Sequence, residues 1–132
     1  MAKIPDNYLD LFEKRAFAHF ATLMPDGSPQ VTPVWLGYDG EHVLVNTAVG
    51  RQKTRNVERN AKVALDILDP DNPYRWLAVR GHVADLTTEG ADDLIDQFSN
   101  RYKGEPKYQS RRPGEQRITI KIAPDKVTTS SR

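Results

Sequence analysis

The chain has 132 residues, enough for one domain, expected over 1–132, that buries about two-thirds of its unfolded surface. It contains no cysteine, which excludes a disulfide framework, a thiolate metal site and a cysteine nucleophile. A net charge of +1 argues against a general nucleic-acid binder, and no apolar run reaches the ~20 residues of a membrane span.

The first residues, Met1 to Asp6, lack a signal-peptide core, so the expected location is cytoplasmic. Asp6 or Asn7 can cap a short helix with Tyr8, Leu9, Leu11 and Phe12 as its apolar face. From Ala16 to Leu23 apolar residues fall on both sides, which reads as a strand buried on both faces. Pro25-Asp26-Gly27 then supplies a hairpin turn. Gln30 to Tyr38 is a second strand interrupted by Pro33, which has no N–H for a ladder and belongs at an edge or a bulge. Asp39-Gly40 turns the chain into a strand from His42 to Thr47.

A basic helix is expected after Gly50, and beyond it Lys62 to Leu68 alternates with Val63, Leu65 and Ile67 on one face. Asp69 to Pro73 reads as a rigid polar loop. Arg75 to Leu86 is the longest strand, with Gly81 at a bulge or a close approach. Thr88 to Tyr102 has helical spacing, capped by Thr88, with Ala91, Leu94, Ile95, Phe98 and Tyr102 on one stripe. Lys103 to Gln116 has no period and reads as a loop. Arg117 to Ile122 and Lys126 to Thr129 close the chain as two strands. Five or six strands joined mostly by hairpins predict a mainly β (α+β) fold, a split antiparallel barrel with flanking helices.

The stretch Asn46 to Asn60 carries the strongest functional signal. Gly50 permits a sharp turn, and the following helix begins with unpaired N–H groups that favour an anion. Arg51, Arg55 and Arg59 recur every four residues, with Lys53 and Thr54 beside them. Cations at a helix N-terminus oppose its dipole, a cost that an anionic ligand converts into charge-assisted hydrogen bonds. A solvated basic face is the competing reading. Thr32-Pro33-Val34-Trp35 suits the wall of a flat slot and Asn46-Thr47-Ala48 leads into the anion site, although Trp35 and Trp76 fit a core equally well.

Side-chain catalysis finds no support. The phosphate-cradling G-x-G-x-x-G and G-x-x-x-x-G-K-[ST] runs are absent, and Ser28 has no base beside it. His19, His42 and His82 have no i+4 partner or carboxylate cluster, so no metal site and no catalytic residue are assigned. A cofactor enzyme or a binding module remains.

Three stretches, Phe20–Leu23, Asp26–Trp35 and Gly50–Asn56, resemble the pyridoxamine-phosphate-oxidase-like split-barrel family. The likeness is strongest to its flavin/deazaflavin oxidoreductase branch, and Val79–Val83 fits the family's long strand. The resemblance implies a homodimer with cofactor sites between subunits. It implies that Arg51, Lys53, Thr54 and Arg55 hold a cofactor phosphate. Gln30, Thr32, Pro33, Val34, Trp35, Asn46, Thr47 and Ala48 would line the ring and ribityl chain. Tyr74, Arg75 and Trp76 would reach over from the partner. The sequence ends soon after Thr129, without the extension that completes the substrate site of pyridoxamine-phosphate oxidases, so vitamin oxidation is not expected. The implied cofactor is coenzyme F420, with FMN as the alternative, and the implied reaction reduces a small electron-poor acceptor. A non-catalytic flavin, deazaflavin or tetrapyrrole carrier is the third reading. Lys62, Arg75, Lys107, Arg111 and Arg112 are the cations available for the acidic tail of F420.

Overall fold

A computed structural model describes residues 1–131. The chain opens with a 3₁₀ helix, Asp6–Phe12, followed by the hairpin β1 (Ala18–Leu23) and β2 (Pro29–Val34). β3 (Gly37–Tyr38), β4 (Val43–Ala48) and α1 (Gln52–Arg59) come next. β5 (Lys62–Asp69) and β6 (Asn72–Thr87) form a second long hairpin. α2 (Ala91–Lys103) and β7 (Arg117–Thr129) complete the domain.

All seven strands pair antiparallel in the order β2-β1-β5-β6-β7-β4-β3. The two ends of that order, β2 and β3, are separated in the chain only by Trp35 and Leu36. A link of this length spans about 11 Å from Val34 to Gly37, whereas a flat sheet of seven strands would hold its outer strands about 29 Å apart. The sheet must therefore curl until its edges nearly meet. This is the split antiparallel barrel expected from the hairpin pattern, with seven strands rather than five or six.

Inside the barrel lie Phe20, Leu36, Val43, Val45, Ile67, Leu77, Val79, Ile120 and Ile122, each at most 1% exposed. The 3₁₀ helix adds Tyr8, Leu11 and Phe12 to this core. α2 packs its stripe as a second cluster of Ile95, Phe98 and Tyr102 against Trp35, Leu44, Leu94 and Tyr108. No helix among the described residues is long and apolar enough to cross a membrane.

Several local expectations change. β1 is buried on one face only: Ala18, Phe20 and Thr22 point inward, while His19 is exposed and Ala21 and Leu23 are half-buried. Neither Asp6 nor Asn7 caps the first helix, which starts after Pro5 without a side-chain cap. Thr88 does not cap α2 either; Gly90, at φ +73°, makes that turn. The polar loop at 69–73 shrinks to Pro70-Asp71, because Asn72 already pairs with Asp69. The two C-terminal strands are one. Pro124, which cannot donate to a ladder, falls opposite Gly81 where the β6–β7 register shifts, so the strand continues through it.

The β5–β6 hairpin is tied down by Asp69, which is 5% exposed. Its carboxylate accepts from the Asp71 N–H at 2.9 Å, Lys14 Nζ at 3.0 Å and Arg75 Nη1 at 2.8 Å. The backbone N–H of Asp71 leads these partners in lowering its pKa from 3.8 to about 2. A depressed carboxylate pKa adds stability that is complete above the unfolded value and disappears as pH falls through the folded one. Unfolding free energy is therefore expected to drop by about 1–2 kcal/mol between pH 5 and pH 2 from this group. Urea titrations of Asp69→Asn across that range should show a correspondingly shallower acid slope.

Candidate functional site

Where β4 ends, its register places Ala48 opposite Arg117 and Asn46 opposite Thr119 of β7. The chain then turns at Gly50, at φ +91°, and Arg51 becomes the residue that precedes α1. Thr54 stabilises this turn by donating its hydroxyl to the Ala48 carbonyl at 2.8 Å. The turn and the start of β7 thereby bring Arg51, Lys53 and Arg117 to one cavity of about 180 Å³. Pro33, Val34 and Trp35 form one wall, Asn46 and Thr47 the floor, and Phe17, Ile95 and Tyr108 the remainder. A larger cavity of about 580 Å³ lies between the 3₁₀ helix, β3–β4 and α2. Its cation, Arg101, donates to the carbonyls of Phe12 and Leu36, so it serves as a clamp between elements.

Arg117 is buried, and its orientation is set by two neighbours. Nε donates to Asn46 Oδ1 at 3.0 Å, and the guanidinium lies 5.1 Å over the Tyr108 ring. Asn46 in turn donates Nδ2 to the Ala91 carbonyl at 2.8 Å, anchoring the pair to the start of α2. Lys53 is half-buried, and its pKa is pushed down, first by burial and then by Arg51 and Arg117. One carboxylate faces this group: Glu115 Oε1 lies 3.3 Å from both Arg51 Nη2 and Arg117 Nη1.

Of the buried polar atoms of the cavity, Thr47 Oγ1 has no hydrogen-bond partner, and Arg117 Nη1 has no hydrogen bond beyond its 3.3 Å ion pair with Glu115. Buried groups of this kind ordinarily find one, and each left unpaired costs about 1–3 kcal/mol. With the cations beside them, they fit an anionic ligand that brings its own oxygens.

The family description for pyridoxamine 5'-phosphate oxidase matches residues 4–131. This chain belongs to that family. Among solved structures, a protein named F420 reductase is 35% identical, with a TM-score of 0.82 over 95% of this chain and 98% of that one. The conserved hypothetical protein Rv2991 from Mycobacterium tuberculosis shares the fold at 18% identity and TM-score 0.73, covering 98% of this chain and 85% of its own. HupZ from Group A Streptococcus shares it at 20% identity and TM-score 0.68, covering 96% and 93%.

Of the expected site residues, the structure brings Pro33, Val34, Trp35, Asn46, Thr47, Arg51 and Lys53 to the cavity of this family member. Trp35 stacks on Tyr102 at 5.3 Å and also lines the cavity. Ala48 lies one step away, in an adjoining hollow with Arg51 and Arg112. Gln30, Thr32, Thr54 and Arg55 are not on the cavity wall. Gln30 faces Asn56 at 3.4 Å, Thr54 is fully buried, and Arg55 donates to Gln52 at 2.8 Å. Arg59 folds back onto the Leu23 carbonyl, so the expected stripe of arginines divides. Tyr74 is 87% exposed at the tip of the β5–β6 hairpin. Arg75 is engaged by Asp10 at 2.7 Å and Asp69 at 2.8 Å, and Trp76 is half-buried.

Sequence reasoning missed Arg117, Tyr108, Phe17 and Ile95 as cavity residues. A signal existed for Arg117 alone: a charged residue opening an apolar strand. The histidines face single aspartates, His19 with Asp66 at 2.7 Å and His82 with Asp125 at 2.9 Å. No cluster of three or more potential ligands for a metal forms among the described residues.

Proposed function

We propose that this chain is a cytoplasmic, homodimeric oxidoreductase that uses coenzyme F420 to reduce a small electron-poor organic acceptor. The observation that carries this reading is the convergence of Arg51, Lys53 and Arg117 on a cavity where the buried Thr47 Oγ1 is unpartnered and Arg117 Nη1 has only a long ion pair with Glu115. Such a set binds the phosphate of a ring–ribityl–phosphate cofactor through charge-assisted hydrogen bonds. Pro33, Val34 and Trp35 then offer an apolar wall to the ring, and Asn46 and Thr47 supply polar atoms along its edge. When bound, the reduced cofactor supplies the hydride; the protein positions it and excludes water. The likeness to the F420 reductase, at 35% identity over nearly the full length of both chains, favours deazaflavin over FMN. FMN is the second reading, because the anion site does not distinguish two cofactors that both carry a phosphate.

The homodimer is supported by the size of the cavity. At about 180 Å³ it is smaller than the roughly 300–1,000 Å³ of complete small-molecule sites. On its wall the apolar Phe17 is 50% exposed. A second copy supplies the missing wall, and the exposed Tyr74 with Trp76 is the segment proposed to reach across. Arg75 contributes there by holding the hairpin to Asp10 and Asp69.

Fluorescence titration of the purified apo-protein with F420 and FMN tests the cofactor. Tighter F420 binding is expected, together with oxidation of reduced F420 by some member of a panel of quinones, enones and tetrapyrroles. Tighter FMN binding reverses the order of the two readings, and F420 binding without turnover on any acceptor makes the protein a carrier.

A further inference from the structure

Among the described residues, Glu115 is the one acid paired with the cations of the cavity, and the proposed function does not use it. Its side chain is 7% exposed, beside Arg51 and Arg117. It is poorly held there. Both contacts are 3.3 Å, against about 2.7–2.9 Å for well-formed bonds between charged groups. Its other oxygen, Oε2, is buried with no partner at all. A carboxylate placed only to neutralise the arginines would be expected to satisfy both oxygens.

Its position in the chain differs from that of the cations. Arg117 belongs to β7 and is locked by Asn46, and Arg51 is fixed by the turn into α1. Glu115 instead follows Pro113 and Gly114, the latter at φ +76°, in the last turn of the 104–116 loop. It lines the adjoining hollow, whose wall includes Arg51, and through Arg51 and Arg117 it touches two cations of the cavity.

We infer that Glu115 is an internal anion that occupies the phosphate subsite of the free protein and must leave Arg51 and Arg117 when a phosphate-bearing ligand enters. A phosphate, a monoanionic diester in F420 and a dianionic monoester in FMN, offers more oxygens to the guanidiniums than a carboxylate held at 3.3 Å, and the released Glu115 regains hydration at the loop surface. A ring compound without phosphate gains nothing by displacing it. Glu115 thereby lowers the affinity for phosphate-bearing ligands, which must displace it, and leaves that of their neutral cores untouched. This inference rests on the phosphate reading of the site.

Glu115→Gln removes the charge and preserves the shape. Titrations should compare F420 with its phosphate-free deazariboflavin core, and FMN with riboflavin. The variant is expected to bind the phosphate-bearing partner about tenfold more tightly and the phosphate-free partner unchanged. The gain should shrink in an Arg51→Ala background, since one of the two guanidiniums competed for is then gone. Inorganic phosphate should also raise the melting midpoint of Glu115→Gln more than that of the unaltered protein. Unchanged or weaker binding of the phosphate-bearing ligands overturns the inference, as does an equal gain for the phosphate-free cores. If Lys53→Ala weakens binding while Glu115→Gln leaves it unchanged, the inference alone fails. If neither substitution affects binding, the phosphate reading fails with it.

Discussion

Gly81→Ala is expected to lower the melting midpoint by about 5–10 °C. A Cβ at this position would stand 2.3 Å from the Ala123 carbonyl oxygen and 3.2 Å from Ile122 Cγ2. The nearest atom is backbone of β7, opposite the point where the β6–β7 register shifts between Arg80 and Gly81. Relief therefore requires the strand pair to separate. Alanine also restricts the unfolded chain, which favours the variant by about 0.4–1 kcal/mol. Overpacking in a well-filled region costs about 1–3 kcal/mol and more when backbone must move, so the net effect is destabilising. At about 3–4 °C per kcal/mol for a domain of this size, the shift is readily measured by calorimetry. Gly37→Ala is the informative comparison. There the added atom meets the Phe98 ring at 2.8 Å, and a side chain yields more easily than a carbonyl. A midpoint for Gly81→Ala equal to that of the unaltered protein would show that the close approach is not maintained in solution.

Gly81 also illustrates what is readable in one dimension. A glycine inside a long alternating strand announces either a bulge or a close approach, and both are present. The alternation of Val63, Leu65 and Ile67, the Asp39-Gly40 turn and the stripe on α2 are similarly local and formed, although α2 begins at Ala91 rather than Thr88 and the strand expected over Gln30–Tyr38 divides into β2 and β3. Register between distant strands is not local. The pairing of Ala48 with Arg117 creates the cation cluster, yet those residues are far apart in the chain and nothing near either one specifies the other. Tyr108 was hidden for a related reason. It lies in a loop without period, fixed by the Asp96 side chain accepting its N–H at 2.8 Å and by packing against Trp35. The arginine stripe misled in the opposite direction. Equal spacing gave Arg51, Arg55 and Arg59 equal standing, but the sheet offers Arg59 a carbonyl and the helix offers Arg55 a glutamine, leaving Arg51 for the cavity. Of the cations proposed for an acidic tail, Lys107 and Arg111 are likewise engaged, both by Asp96.

Lys53→Ala should weaken binding of F420 or FMN by about 1.5–3 kcal/mol, or roughly 10- to 150-fold, while the fold without ligand is unharmed. The two halves of this expectation share one cause. Burial, followed by repulsion from Arg51 and Arg117, depresses the pKa of Lys53 below 10.5, so the charged ammonium is disfavoured in the folded protein. Removing it relieves that penalty, and the melting midpoint at neutral pH should hold steady or rise slightly. A bound phosphate reverses the balance, because the ammonium then faces an anion and becomes a donor to it. The pH dependence follows with a definite sign. As pH rises through the depressed pKa, below that of free lysine, the unaltered protein should lose ligand affinity and gain stability relative to the variant. Titrations of both proteins from pH 7 to pH 10, with parallel melting curves, separate this account from its alternative. If Lys53 is only a solvated surface charge, affinity, midpoint and pH profile will all be indifferent to its loss.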